Sequence, residues 1–234
     1  MREQHLDPLN IQFGTLNPLR TGQGMQNLEF GGAFCRAIND WQKAEWTSQE
    51  PRLKGSVVVP YEDTDEAVAE IEARAGDPNY CQVFLLSRSA EPFGQKRYWK
   101  TFEAAAANGF PVAIHAFGYG GVPVTGGGWP SYYLEEMIGH AQAQQSLLMS
   151  LTMEGVFERC PDLKVVLVEG GFSWLPSLSW RMDKLMASMG DEVPHLKKKP
   201  SEYVKSQVWA TTQPLEEPEH WPHILDVFDW IGWS

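Results

Sequence analysis

Two side chains of this 234-residue chain stand where chemistry is readily done. His115 ends the apolar run Pro111-Val112-Ala113-Ile114 and opens a glycine-dense stretch, FGYGGVPVTGGGWP, over residues 117–130. An imidazole there suits a metal ligand, with a hydrogen-bonded structural residue closing a strand as the plainer reading. Glu169 follows Val165-Val166-Leu167-Val168 and precedes Gly170-Gly171, where the backbone is free to turn. Its carboxyl is expected to be buried, as a general base, a ligand, or the charge partner of an arginine such as Arg181, with an internal salt bridge as the plainer reading.

Positioning these two residues requires strands, and short β-branched runs alternate with segments of helical period along the chain. The strands are expected at Ile11–Asn17, Ser56–Pro60, Cys81–Ser87, Pro111–Ala116, Lys164–Glu169 and Val208–Gln213. Between them, helical patterns cover Met25–Trp46, a segment entered by Asp63 and Glu66 that ends before Gly76, and Arg97–Asn108. A long helix over Ser131–Arg159, broken near Gly139 or Gly155, follows the glycine-dense loop. Leu175–Met189 and a last helix from Pro222 to Ile231 complete the pattern, and Lys197-Lys198-Lys199 reads as a solvated turn before Pro200.

Strands separated by helices pair in parallel through right-handed crossovers, so the class is α/β. Neither GxGxxG nor GxxxxGK[ST] follows an early strand, which disfavours an open nucleotide-binding sheet and favours a (β/α)8 TIM barrel. Catalytic groups of a barrel sit at the carboxyl ends of its strands, where His115 and Glu169 fall.

Composition narrows the partners. Lys+Arg 19 against Asp+Glu 30 gives a net charge of −11, which repels a phosphate backbone, so no nucleic acid is expected. No membrane partner is expected either, because no apolar run approaches the roughly 18 residues of a spanning helix and Met1–Asn10 has no signal-peptide core. A cytoplasmic address and a small-molecule substrate are the expectations. Cys35, Cys81 and Cys160 are too scattered for a disulfide framework or a CxxC site and read as buried thiols. No linker or composition shift divides the chain, so residues 1–234 are read as one domain.

The stretch GVFERCPDLKVVLVEGGFSWLPSLSWRMD, from Gly155 to Asp183, resembles the amidohydrolase-related family, which includes the aminocarboxymuconate-semialdehyde decarboxylase group. LDPLNIQFGTLNPL near the start, INDWQKAEW from Ile38, RLKGSVVVP from Arg52, ANGFPVAIHA from Asn108 and PSEYVKSQVWATTQPLEEP from Pro200 extend the likeness over nearly the whole chain. The resemblance implies a metal-dependent TIM barrel that hydrolyses or decarboxylates small organic acids with zinc, or with manganese. It implies that His115 is a metal ligand, that Glu169 is an acid/base or further ligand where the family commonly has a second histidine, and that Arg181 and Trp174 bind substrate. Arg181 paired with Asp183, and Trp174 as filler, are the plainer readings.

Two departures shape the expectation. The family's His-x-His on its first strand and its metal-binding Asp on the eighth have no counterpart, and six units are found where a barrel has eight. The expected form is therefore an incomplete barrel of about six βα units, second to seventh, a fragment or truncated product with an incomplete metal site. Its open sheet edges leave room for a homo-oligomer. His220 and His223 read as surface or capping residues, and His140 as packed within its helix. The ten tryptophans raise an alternative, a non-catalytic barrel scaffold or an aromatic- or sugar-binding domain.

Overall fold

A computed structural model describes residues 1–116, 123–214 and 221–231. The first part of the glycine-dense loop and His220 lie outside these residues, as does the side chain of His223. Among the described residues six parallel strands form one sheet: β1 (Gly14–Leu16), β2 (Leu53–Val58), β3 (Tyr80–Leu86), β4 (Val112–His115), β5 (Val165–Val168) and β6 (Val208–Ala210). Their order across the sheet is their order along the chain. A doubly wound sheet must reverse direction at a switch point, whereas each crossover in this sheet advances it by one strand the same way. The sheet curls into a half-barrel with helices packed on it, an incomplete TIM barrel as expected.

The helices start where the sequence supplies caps. In α1 (Leu28–Gln42) the Asn27 side chain accepts from the Phe30 amide, and in α2 (Thr64–Arg74) Asp63 accepts from the Glu66 amide. After β3 comes α3 (Trp99–Ala107). The long helix expected after the glycine-dense loop is broken at both candidate glycines, giving α4 (Tyr133–Ile138), α5 (His140–Met153) and α6 (Val156–Arg159). Gly155 has φ +80°, and a Cβ there would lie 2.6 Å from His195 Cδ2, so a larger residue would be strained and would have to displace the His195 ring. Then α7 (Leu175–Met189) matches its expected span.

One further helix, α8 (Pro200–Gln207), was not anticipated, and α9 (Trp221–Ile231) closes the described chain. The signal for α8 lies in Pro200 at its first position and Glu202, whose carboxylate accepts from the Lys199 amide at 2.8 Å. The terminal strands are shorter than expected: Gly14–Leu16 within Ile11–Asn17, and Val208–Ala210 within Val208–Gln213.

Strand register fixes which side chains share a face. Val58, Phe84, Ala113, Val166 and Trp209 lie in one row, and Leu86, His115 and Val168 in the next row toward the carboxyl ends. The alternate residues Val57, Val83, Ile114 and Leu167 are at most 1% exposed and belong to the core. On the His115 side, Val166 and Trp209 are only half-buried. A closed barrel fills its interior with side chains from every strand, whereas six strands line a trough that is partly open. Among the described residues, no helix is long and apolar enough to cross a membrane. Cys35 and Cys160 are buried as expected, whereas Cys81 is half-buried.

Candidate active site

His115 is 3% exposed at the carboxyl end of β4. Its carbonyl accepts from the Ser87 amide at 2.8 Å, the next amide, Ala116, donates to Val168 O at 2.9 Å, and the Phe84 ring meets the imidazole edge-on at 6.1 Å between centroids. Burial pushes the imidazole below its ordinary pKa, and the nearby Glu169 carboxylate only partly opposes this. The ring is therefore neutral at neutral pH, the form that ligates metals.

Glu169 departs from expectation in being exposed, its side chain at 52%. In a continued strand it would point away from His115, since Val168 already shares the His115 row. Instead Glu169 adopts φ +57°, and this left-handed turn brings its Oε2 to 3.1 Å from His115 Nε2. For a residue other than glycine that conformation costs about 1–2 kcal/mol. Thr211, just past β6, secures it: Thr211 Oγ1 accepts from the Glu169 amide at 3.0 Å, while the Thr211 amide donates to Leu167 O at 2.9 Å. The partner of Glu169 is thus His115 and not Arg181, and with a neutral ring the contact is a hydrogen bond in place of the salt bridge read as the plainer role.

Beneath the pair lies Gln144 of α5, which sequence reasoning missed. Its Nε2 donates to Ile114 O at 2.8 Å and more weakly to Val168 O at 3.4 Å, tying together the ends of β4 and β5. A Cβ on Gly170 would meet Gln144 Cγ at 2.3 Å, so the Gly-Gly pair after Glu169 serves a close approach as well as a turn. Trp174 is half-buried and its Nε1 donates to Gly170 O at 2.8 Å, which braces the same turn.

Arg181 is not brought to this place. It is exposed on α7, and Asp183 accepts instead from the Ser201 amide at 2.9 Å and the Ser201 hydroxyl at 2.6 Å. His140 is buried, as expected, but at the start of α5 beside the site. Burial and then the Arg88 cation lower its pKa, and the carboxylates of Glu136 and Glu169 oppose this in part. The one sequence signal for it was the break at Gly139, which starts a helix at that residue.

The sequence profile described as Amidohydrolase matches residues 1–234. The chain belongs to the amidohydrolase family. No curated protein matches it significantly. Among solved structures it is similar to an amidohydrolase from Mycobacterium avium subsp. paratuberculosis, with TM-score 0.78 and 21% identity over 97% of this chain and 60% of that one. It is similar also to 2,6-dihydroxybenzoate decarboxylase from Rhizobium, with TM-score 0.79 and 19% identity over 99% of this chain and 73% of that one. A third is a dihydroxybenzoic acid decarboxylase from Polaromonas with bound manganese and the inhibitor 2-nitroresorcinol, with TM-score 0.76 and 21% identity over 99% of this chain and 71% of that one. At these identities the likeness is one of fold, and this amidohydrolase chain spans three-fifths of the length of the mycobacterial protein.

The His115–Glu169 pair can be tested against a divalent ion. Two ligands about 2.0–2.2 Å from one ion lie roughly 2.8–3.6 Å apart at octahedral to tetrahedral angles. The observed 3.1 Å, one neutral imidazole nitrogen and one carboxylate oxygen fit two positions of such a shell. Among the described residues, no group of three His, Cys, Asp or Glu is placed to hold a metal.

Proposed function

We propose that this chain carries part of the active site of a metal-dependent hydrolase or decarboxylase acting on a small organic acid, with His115 as a metal ligand and Glu169 as the acid/base or a second ligand. The observation that carries this reading is the turn at Glu169, where a left-handed backbone places a carboxylate 3.1 Å from a buried histidine at the end of the neighbouring strand. Family membership supports the reaction class, and the decarboxylases of similar fold support an organic acid as substrate. Zinc suits a nitrogen and oxygen donor set, and manganese, bound in the Polaromonas structure, is the second candidate.

Such an ion, when bound, polarises a substrate carboxylate or carbonyl and makes water a better nucleophile. The chain's own groups supply the remainder. Burial keeps the His115 ring neutral and ready to ligate. Glu169 Oε2 is the atom at which a proton is taken up or returned, because its carboxylate is open to solvent while its backbone is fixed by Thr211. Gln144 and Trp174 hold the β4 and β5 ends and the turn after Glu169, so the two donors keep their separation.

Zinc and manganese per chain should be measured in the purified 234-residue protein and in its His115→Ala variant. The proposal expects near-stoichiometric metal in the first and its loss in the second. Absence of metal from both, or equal metal in both, overturns it.

A further inference from the structure

Arg88 lies two residues past the end of β3, immediately after Ser87, whose amide donates to His115 O at 2.8 Å, so the arginine stands at the same end of the sheet as the His115–Glu169 pair. It is only 8% exposed, yet it lines a cleft of about 920 Å³ between the loop after β3 and α5, together with Ser89, Phe93, Gln142 and Ser146. Its main chain is fixed, for the Tyr61 hydroxyl donates to Arg88 O at 2.7 Å. His140, at the start of α5, is near enough to feel both the Arg88 cation and the Glu169 carboxylate.

The guanidinium presents Nε and Nη2 along one edge, a fork matched to the two oxygens of a carboxylate. Glu136 uses half of that fork: its Oε1 accepts from Nη2 at 2.6 Å, while Nε is buried with no hydrogen-bond partner among the described residues. A buried charged donor left unpaired is unfavourable, and a carboxylate on both nitrogens would satisfy it. Glu136 is easily displaced, because it rides on α4, a helix of six residues none of which is buried.

We propose that Arg88 is the substrate-anchoring residue, taking a carboxylate of the ligand on its Nε–Nη2 edge, with Glu136 as the counter-ion that the ligand displaces. This deepens the proposed function and rests on its assignment of an organic acid as substrate. It gives the acid group a place in a cleft at the same end of the sheet as the His115–Glu169 pair, which Arg181, exposed on α7, does not provide.

The probe is sodium benzoate, with benzamide as its uncharged counterpart, titrated into the 234-residue chain with excess EDTA and followed by amide chemical shifts. Benzoate is expected to shift the amides from Ser87 to Glu91, and benzamide to bind more weakly. Arg88→Met is expected to weaken benzoate at least about tenfold. Glu136→Gln, a change on an exposed helix, is expected to tighten it severalfold by removing the competing carboxylate. Equal affinity in the Arg88→Met protein, weaker binding in the Glu136→Gln protein, or no shift around Arg88 overturns the proposal. EDTA makes this result independent of the His115 metal assignment, so either can fail without the other.

Discussion

Two polar regions of this chain are built on opposite terms. Between α1, α2 and the first strands runs a belt of side chains in which each buried group has a partner. Asn39 donates to Val58 O at 2.8 Å and to Glu70 Oε1 at 2.9 Å, and its own Oδ1 accepts from the Val58 amide at 2.9 Å. Gln42 donates to Ser56 O at 2.9 Å, the Tyr80 hydroxyl donates to Asn39 O at 2.6 Å, and Arg74 pairs with Glu70 at 2.8 Å. At the carboxyl ends of β3 to β5 the arrangement is different. Glu169 is held in a left-handed conformation, and Arg88 Nε and Gln144 Oε1 are buried without a partner among the described residues. The other unpartnered buried side-chain atoms, on Trp46, Thr47 and Thr101, are neutral, so the charged one lies at this end. The belt satisfies its polar groups internally, whereas the strained glutamate and the unsatisfied charged group lie where an incoming ligand would complete them.

Breaking the belt should therefore have the largest effect on stability and little on binding. Asn39→Leu removes the partners of both Val58 backbone groups and one partner of the buried Glu70 carboxylate, all in surroundings where water cannot replace them. The expected loss is about 3–5 kcal/mol, read as a lower urea midpoint with an unchanged slope. Metal content per folded chain is expected to be unchanged. A loss below about 1 kcal/mol would mean that the belt is not the internally satisfied region described above.

The two regions also differ in how readily the sequence announces them. The order of elements and the position of His115 follow from alternating periodicity, because burial on both faces of a parallel strand leaves a strong local mark, whereas the barrel and its incomplete form rest on the missing phosphate-loop glycines and on the family resemblance. The Glu169 turn was visible only as a carboxylate before Gly-Gly. Its positive φ and its exposure depend on Thr211, 42 residues on, a separation over which local patterning carries no signal. Gln144 and Arg88 were missed for a related reason. A glutamine within a helix and an arginine in a loop look like surface residues until the fold places one beneath two strand ends and the other in a cleft wall. Arg181, conspicuous through family likeness, is exposed on α7. The helix α8 was hidden by three lysines and a proline that read as a turn, although Pro200 and Glu202 are helix-start residues.

A smaller effect, opposite in sign, should come from relaxing the strained end. Glu169→Gly places at φ +57° the residue that adopts it without steric conflict, so the folded chain should gain about 1 kcal/mol even after the greater freedom of glycine when unfolded. The same change removes the carboxylate 3.1 Å from His115 Nε2, so metal content should fall while the melting temperature rises. Stability and metal binding moving in opposite directions is the signature of strain kept for a ligand. A fall in both would show instead that the Glu169–His115 contact holds the fold.

The smallest effect sharpens the comparison through pH, at a turn beside the belt. Burial alone would raise the Asp77 carboxyl, but Lys43 Nζ at 2.7 Å and donors from Asn79 outweigh it and hold the group at about 2, against an ordinary value of 3.8. A lowered carboxyl pKa means that the unfolded chain binds the proton first on acidification. The stabilisation is then fully present above about pH 4 and is lost as pH falls toward 2. Discounted for the solvent that reaches Lys43, it should be roughly 0.5–1 kcal/mol. Asp77→Asn should flatten the stability profile between pH 4 and 2 by that amount and leave it parallel to the wild type above pH 5. An unchanged acid limb would mean that the ion pair is screened away in solution, and that the belt owes its stability to neutral hydrogen bonds such as those of Asn39 and Gln42.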